Sequence, residues 1–364
     1  MISFEPSEEQ QAIIDAVRRF AEKEVRPQAH PCDEAGKIAP TLLEAAHGLG
    51  LVMSMIPEAH GGGGEKLSAV TGALIAEELA WGDLALAVAI LSPTTLVIPL
   101  LEAGSEEQRG KYLPAFAGER FAPGSNALVE PQFGFNPRKP STRATRDSNS
   151  YVIEGTKCFV PVLEGEAPML VFAREGESVQ GFFVPRDAQG VTLEAGERNM
   201  GLLALPTAEV RLSNVRVDAS ARLGGDGGCD LGKLLDRSRT GLAAMAVGVG
   251  RAALEYAKDY AKERTAFGVP IGSKQAIAFM LAEMAIEVDA ARLLVWEAAW
   301  RIDQGLDASR QVTLARRTAA DTALRVCDCA VQILGGHGYI REHPVEQQLR
   351  NARGFCTLDA LTYV

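Results

Sequence analysis

The sequence predicts an α+β chain built in three blocks: an N-terminal helical domain over residues 1–121, a middle β-barrel or sandwich over 122–225, and a second helical domain over 226–364. Two observations predict it. Apolar spacing switches from helical to alternating near Phe121 and back to helical near Lys233. Blocks of helix, strand and helix separated in sequence indicate α+β architecture rather than alternating β–α units. A length of 364 residues suffices for two or three domains with a large core.

Ser7 followed by Gln10 resembles a capping box ahead of the amphipathic run EEQQAIIDAVRRFAEKEV, which Pro27 is expected to close. Thr41 to Leu49 and Lys66 to Leu79 read as further helices. The glycine-rich PEAHGGGGEK between them follows no strand and lacks the Lys-Ser/Thr of a phosphate loop, so it reads as a turn. SYVIEG, MLVFAR, GFFVPR, VTLEA and AEVRLSNVRV alternate as strands, with Asn214 and Asp218 bracketing a return. GGDGGCDLG (224–232) reads as a flexible connector.

From Asp236 to Met284 two long helical patterns meet at TAFGVPIG. Ala243, Ala244, Ala246, Gly248 and Gly250 occupy the early turns of the first. Each glycine costs a helix roughly 1 kcal/mol relative to alanine, so their presence implies close approach by another helix or a ligand. Asp236 and Arg239 share one face near the start, where a surface ion pair is the plain alternative to a binding role. Arg264 and Phe267 sit at the break, Gln275 opens the next helix, and Ala290–Ile302 and Thr313–Leu334 continue the helical block.

Net charge is −10 with both signs interspersed, which argues against a nucleic-acid partner. The six cysteines are scattered, and Cys327 and Cys329 at i, i+2 on a helix point apart, so no metal pair is expected. No signal peptide and no membrane span are expected, and the scattered thiols fit a cytoplasmic protein.

D-x-x-R at Asp236–Arg239, the small-residue helix, E-R-x-x-F-G-x-x-I from Glu263, Gln275 and then Q-x-x-G-G at Gln332–Gly336 together resemble the acyl-CoA dehydrogenase family. The resemblance runs from about Phe4 to Asp359. It implies an N-terminal helical domain, a middle β-domain and a C-terminal four-helix bundle, with FAD as cofactor. The implied reaction is α,β-dehydrogenation of an acyl-CoA thioester in fatty-acid or steroid side-chain breakdown. Asp236 and Arg239 match contacts to coenzyme A. Arg264, Phe267, Gln275, Gln332, Gly335 and Gly336 match contacts to the ADP half of an FAD held mainly by a neighbouring subunit. An oligomer and an electron-acceptor flavoprotein are therefore implied.

The family's flavin-ring segment A-L-T-E-P-x-A-G-S-D reads Ala127-Leu128-Val129-Glu130-Pro131-Gln132-Phe133-Gly134-Phe135-Asn136 here. Val129 replaces the threonine, and Phe135 replaces a small serine. The family's K-x-W-I-T becomes Lys157-Cys158-Phe159-Val160-Pro161, where Phe159 can still stack on a ring but Pro161 has no N–H to donate. Asp359 stands where the resemblance places the catalytic glutamate, one methylene shorter. A solvent-facing aspartate is the alternative. Two roles stay open: a dehydrogenase with Asp359 as base, or a non-catalytic subunit of a heterotetramer that serves a homologous catalytic partner.

Overall fold

In the computed structural model, residues 5–364 are described. Residues 1–4, including Phe4 where the resemblance begins, lie outside them. Helix α1 (Glu8–Phe20) opens in the expected capping box, with Ser7 Oγ accepting from the Gln10 N–H and the Gln10 side chain accepting from the Ser7 N–H. Pro27, in contrast, does not close the helical run. A π-turn, Ala21–Val25, leads directly into α2 (Arg26–Ala35), and Pro27 falls in the first turn of α2. The chain stays helical through Val25 and Arg26, with the Arg26 N–H donating to the Ala21 carbonyl in the wider π pattern, and the proline falls where that pattern gives way to α-helix.

Helices α3 (Pro40–His47), α4 (Ala69–Gly82), α5 (Leu84–Ile90), α6 (Thr94–Ala103) and α7 (Glu106–Tyr112) complete the first block. Helix α4 begins at Ala69 rather than Lys66 because Ser68 caps it, its Oγ accepting from the Thr71 N–H. It is buried on nearly every face, as an all-round apolar helix must be.

The middle block is one seven-stranded sheet. It comprises β1 (Ser125–Ala127), β2 (Arg143–Asp147), β3 (Ser150–Pro161), β4 (Met169–Glu175), β5 (Ser178–Val184), β6 (Val191–Ala195) and β7 (Thr207–Asp218). Their order is β1-β4-β2-β3-β7-β6, with β5 paired to β4. The chain does not turn back between Asn214 and Asp218. Strand β7 runs through both, and Asn214 absorbs a register shift against β3 at φ 53°. Asparagine tolerates left-handed backbone, so its turn-like chemistry serves a bulge. The glycine-rich connector is also not free: Gln108 Oε1 accepts from the Gly224 N–H, and Gln180 Oε1 from the Cys229 N–H.

The last block comprises α8 (Leu231–Glu263), α9 (Gln275–Asp303), α10 (Ser309–Leu334), α11 (Gly336–Tyr339) and α12 (Val345–Arg353). The small residues of α8 are explained by packing. A Cβ on Gly248 would lie 2.2 Å from the Glu77 carbonyl of α4, so the two backbones nearly touch. One core cluster joins the N-terminal helices to α8–α10 and α12. A second joins α6, β4, β5, the start of α8 and the segment after Asp359. Among the described residues, no single helix is long and apolar enough to cross a membrane.

Candidate active site

Asp359 is not solvent-facing. Its side chain is 17% exposed and pairs with Arg239, whose Nη2 lies 2.9 Å and Nε 3.3 Å from Oδ2. Oδ1 accepts from the Ala360 N–H at 3.2 Å. Asp236 and Arg239 therefore do not form the surface pair with each other: Asp236 Oδ2 accepts instead from Ser309 Oγ at 2.9 Å. Burial pushes the Asp236 carboxyl above its ordinary range, against the pull of that hydrogen bond and of Arg239. Two more arginines hold the segment around Asp359. Arg316 Nη2 donates to the carbonyls of Phe355 and Leu358. Arg237 Nη1 donates to the Val364 carbonyl at 2.7 Å while its Nη2 pairs with Glu102. Arg237 and Arg316 carried no sequence signal, since a helical arginine looks the same whether it faces water or a neighbouring carbonyl.

The segment that the resemblance assigns to the flavin ring lies across β1, β3 and the chain that follows β1. Val129 accepts through its carbonyl from the Cys158 N–H at 2.9 Å. Phe159 sits at φ 53° where the β3–β7 register shifts between Lys157 and Val160. Left-handed backbone costs a non-glycine residue about 1–2 kcal/mol, strain that the surrounding packing must hold in place. Beneath it, Lys157 is fully buried and donates to Glu130 Oε1 at 2.9 Å and to the Leu128 carbonyl at 3.0 Å. Glu130 also accepts from the Ser141 and Thr142 N–H groups. Burial lowers the Lys157 ammonium to about 8 despite the opposing pull of Glu130. The pair fixes the 128–130 backbone to β3. Neither Val129 nor Pro161 offers a side-chain donor, and the Pro161 carbonyl is engaged by Ser125 Oγ at 2.6 Å.

A second cluster lies at the far end of the bundle. Arg264, Phe267, Gln275, Gln332, Gly335 and Gly336 are all exposed, Phe267 at 95%. Tyr260, one turn before Arg264, hydrogen-bonds His337 Nδ1 at 2.8 Å, which brings the end of α8 to the Gly335–Gly336 turn. A Cβ on either glycine would meet nothing within 4 Å. The guanidinium, the bare ring, the two amides and the open glycine backbone suit a pyrophosphate and an adenine. At this end the residues fit the ADP half of FAD. At the ring end they present apolar surface with Phe159 at a strained bulge, and side-chain donors are absent at 129 and 161. A separate cavity of about 700 Å³ between α2, α5, α8 and α12 includes neither cluster among its lining residues.

The chain matches family models for the N-terminal domain of acyl-CoA dehydrogenase over residues 7–120, the middle domain over 125–215 and the C-terminal domain over 225–359. A probable acyl-CoA dehydrogenase of Bacillus subtilis, YngJ, is 37% identical over 97% of this chain and 94% of its own length. Among solved structures, the butyryl-CoA dehydrogenase of Megasphaera elsdenii superposes with a TM-score of 0.88 at 30% identity, covering 97% of this chain and 95% of that one. A glutaryl-CoA dehydrogenase of Mycobacterium smegmatis, solved in complex with FADH2, gives 0.87 at 28% identity over 97% and 91%. The chain belongs to the acyl-CoA dehydrogenase family, a family of FAD-dependent oxidoreductases acting on CH–CH bonds.

Proposed function

We propose that this chain carries out α,β-dehydrogenation of an acyl-CoA thioester, with Asp359 as the base that removes the α-proton. The observation that supports this reading most directly is the Arg239–Asp359 pair at the junction of the bundle and the β-domain. Arg239 fixes the carboxylate through two N–H groups on Oδ2, and Oδ1, which accepts from the Ala360 N–H, keeps a lone pair for the proton. A base acts only at hydrogen-bonding distance, so this orientation compensates in part for the methylene that aspartate lacks. FAD, when bound, supplies the acceptor for the β-hydrogen. Phe159 would cover the ring, and the distal cluster would hold the ADP half of the FAD of a neighbouring subunit. The companion roles are a homo-oligomer and an electron-acceptor flavoprotein.

One set of observations favours the second role, a subunit completed by a homologous partner. Val129 and Pro161 remove donors from the chain's own ring site while the cluster offered to a neighbour is intact. The test is flavin per chain and turnover for the chain purified alone, using an artificial acceptor and acyl-CoAs of fatty and steroid type. Flavin near one per chain, with turnover abolished in Asp359→Ala, is expected for the dehydrogenase. Flavin that appears only after a homologous partner is added would transfer the catalytic role to that partner.

A further inference from the structure

The cavity of about 700 Å³ between α2, α5, α8 and α12 falls within the size range of small-molecule sites. Part of its wall is already satisfied. Asp83 Oδ2 accepts from Gln347 Nε2 at 3.1 Å and from Asn351 Nδ2 at 3.3 Å. His343 Nδ1 shares a hydrogen bond of 2.7 Å with the Tyr256 hydroxyl, and its ring stacks on His337 with centroids 5.1 Å apart. These contacts hold Tyr256 and His343 as aromatic walls, with Ile340 and Pro344 beside them.

Two polar groups of the lining are left open. The Arg26 guanidinium lies over the Trp81 ring, 3.6 Å from its centroid, and its Nη2 is buried without a partner. Among the described residues, no hydrogen bond or ion pair reaches Arg26; carboxylates act on it only from a distance. Glu255, the first of these, accepts instead from Trp81 Nε1 at 2.7 Å. Burial lowers the Arg26 guanidinium below its ordinary range, against the pull of Glu255 and Glu22. Gln348 Oε1 is the second open group, buried and unpartnered. Buried charges are ordinarily paired, so an unpaired guanidinium on a cavity wall is a group that a ligand would satisfy.

We infer that this cavity binds a small aromatic carboxylate, its carboxylate on Arg26 and its ring against Tyr256 and His343. A guanidinium offers paired N–H groups that match the two oxygens of a carboxylate. Aromatic walls favour a flat ligand, which packs against them offset or edge-on. One negative charge fits better than the two of a phosphate, because the Asp83 and Glu342 carboxylates also line the cavity. The lining includes neither Asp359 nor a residue of the exposed cluster at Gly335–Gly336, so the inference stands apart from the choice of base and from the cofactor contacts.

The probe is 2-naphthoate, and the control is 2-acetylnaphthalene, a neutral compound of nearly the same shape. Calorimetry on the protein as purified is expected to show naphthoate binding at least about tenfold tighter than the neutral compound, the margin of a charge-assisted contact. Arg26→Gln should bring naphthoate down to the level of 2-acetylnaphthalene, with melting temperature within a few degrees and flavin per chain unchanged. Amide exchange on the native chain locates the probe without any variant: naphthoate should slow exchange in α2 and α12 and leave α9 as it was. Equal binding of the two compounds to the native chain would overturn the inference, as would naphthoate binding that survives Arg26→Gln. Protection confined to other elements would do the same. Flavin lost together with naphthoate binding in Arg26→Gln would make the cavity part of the cofactor site instead.

Discussion

At the scale of single residues, the site is organised by charges that left water for specific partners. Lys157 is the clearest case: a fully buried ammonium whose carboxylate partner is itself held by two backbone N–H groups. Such a pair contributes little relative to an apolar substitute, yet removal of one partner leaves an uncompensated charge. Lys157→Met is expected to destabilise the protein by about 3–5 kcal/mol, and the double variant Lys157→Met/Glu130→Gln by less than that. Thermal melts of the two variants check this. A double variant no more stable than the single would mean that Glu130 is held by Ser141 and Thr142 alone. The Arg239–Asp359 pair behaves differently because both side chains are partly exposed, 30% and 17%, so its value is orientation. Arg239→Gln is expected to lower kcat by about tenfold or more, on the scale of lost positioning of a catalytic group, while melting stays within a few degrees. A change confined to KM would return Arg239 to the coenzyme A contact that the D-x-x-R pattern suggested. Asp359 was legible only through the spacing after Arg350 and Arg353. Its partner was not, because 120 positions separate the two.

At the scale of elements, Asp83 ties the first and last blocks together. It breaks α4 from α5, caps α5 by accepting from the Leu86 N–H, and accepts from Gln347 and Asn351 of α12. Asn351 in turn accepts from the Leu202 N–H of the β-domain. Burial raises the Asp83 carboxyl to about 6, well above the ordinary range of an aspartate. A carboxyl whose folded pKa is raised contributes stability that is full below its unfolded pKa and is lost as pH rises through the folded value. The contribution lost between pH 4 and 7 is up to about 3 kcal/mol, at 1.36 kcal/mol per unit. Native protein should therefore lose melting temperature relative to Asp83→Asn as pH rises from 4.5 to 7. Parallel curves for the two proteins would show that Asp83 stays ionised throughout. Helices and most strands were readable because apolar spacing is a local property of each segment. Pro27 and Asn214 misled because each can act in two settings, and a distant packing partner decides which. The turn at Ala360 left no signal, since alanine seldom adopts left-handed backbone unless its surroundings impose it.

At the scale of the whole molecule, the chain leaves apolar surface that its own fold does not cover. Phe279, Ile286 and Leu293 of α9 recur every seven residues and are 58%, 67% and 44% exposed. That spacing returns to one helix face every two turns, the pattern of a seam between helices. The same α9 begins at Gln275, within the cluster that suits the ADP half of FAD, so one surface would serve both assembly and the neighbour's cofactor. Ile286→Glu changes an exposed side chain and should leave the stability of the isolated fold within about 0.5 kcal/mol, yet it places a charge in a desolvated seam if two copies meet there. The expected outcome by light scattering is a smaller assembly, with flavin content falling in proportion where another chain supplies the ADP contacts, as proposed. Arg264→Ala should lower flavin content with no change in mass, since it removes the guanidinium proposed to hold the pyrophosphate and no apolar area. The two variants thus separate assembly from cofactor binding. An Ile286→Glu monomer that keeps its full complement of FAD would show that the ADP half rests on the chain's own surface, and that the exposed cluster at Gly335–Gly336 serves another ligand.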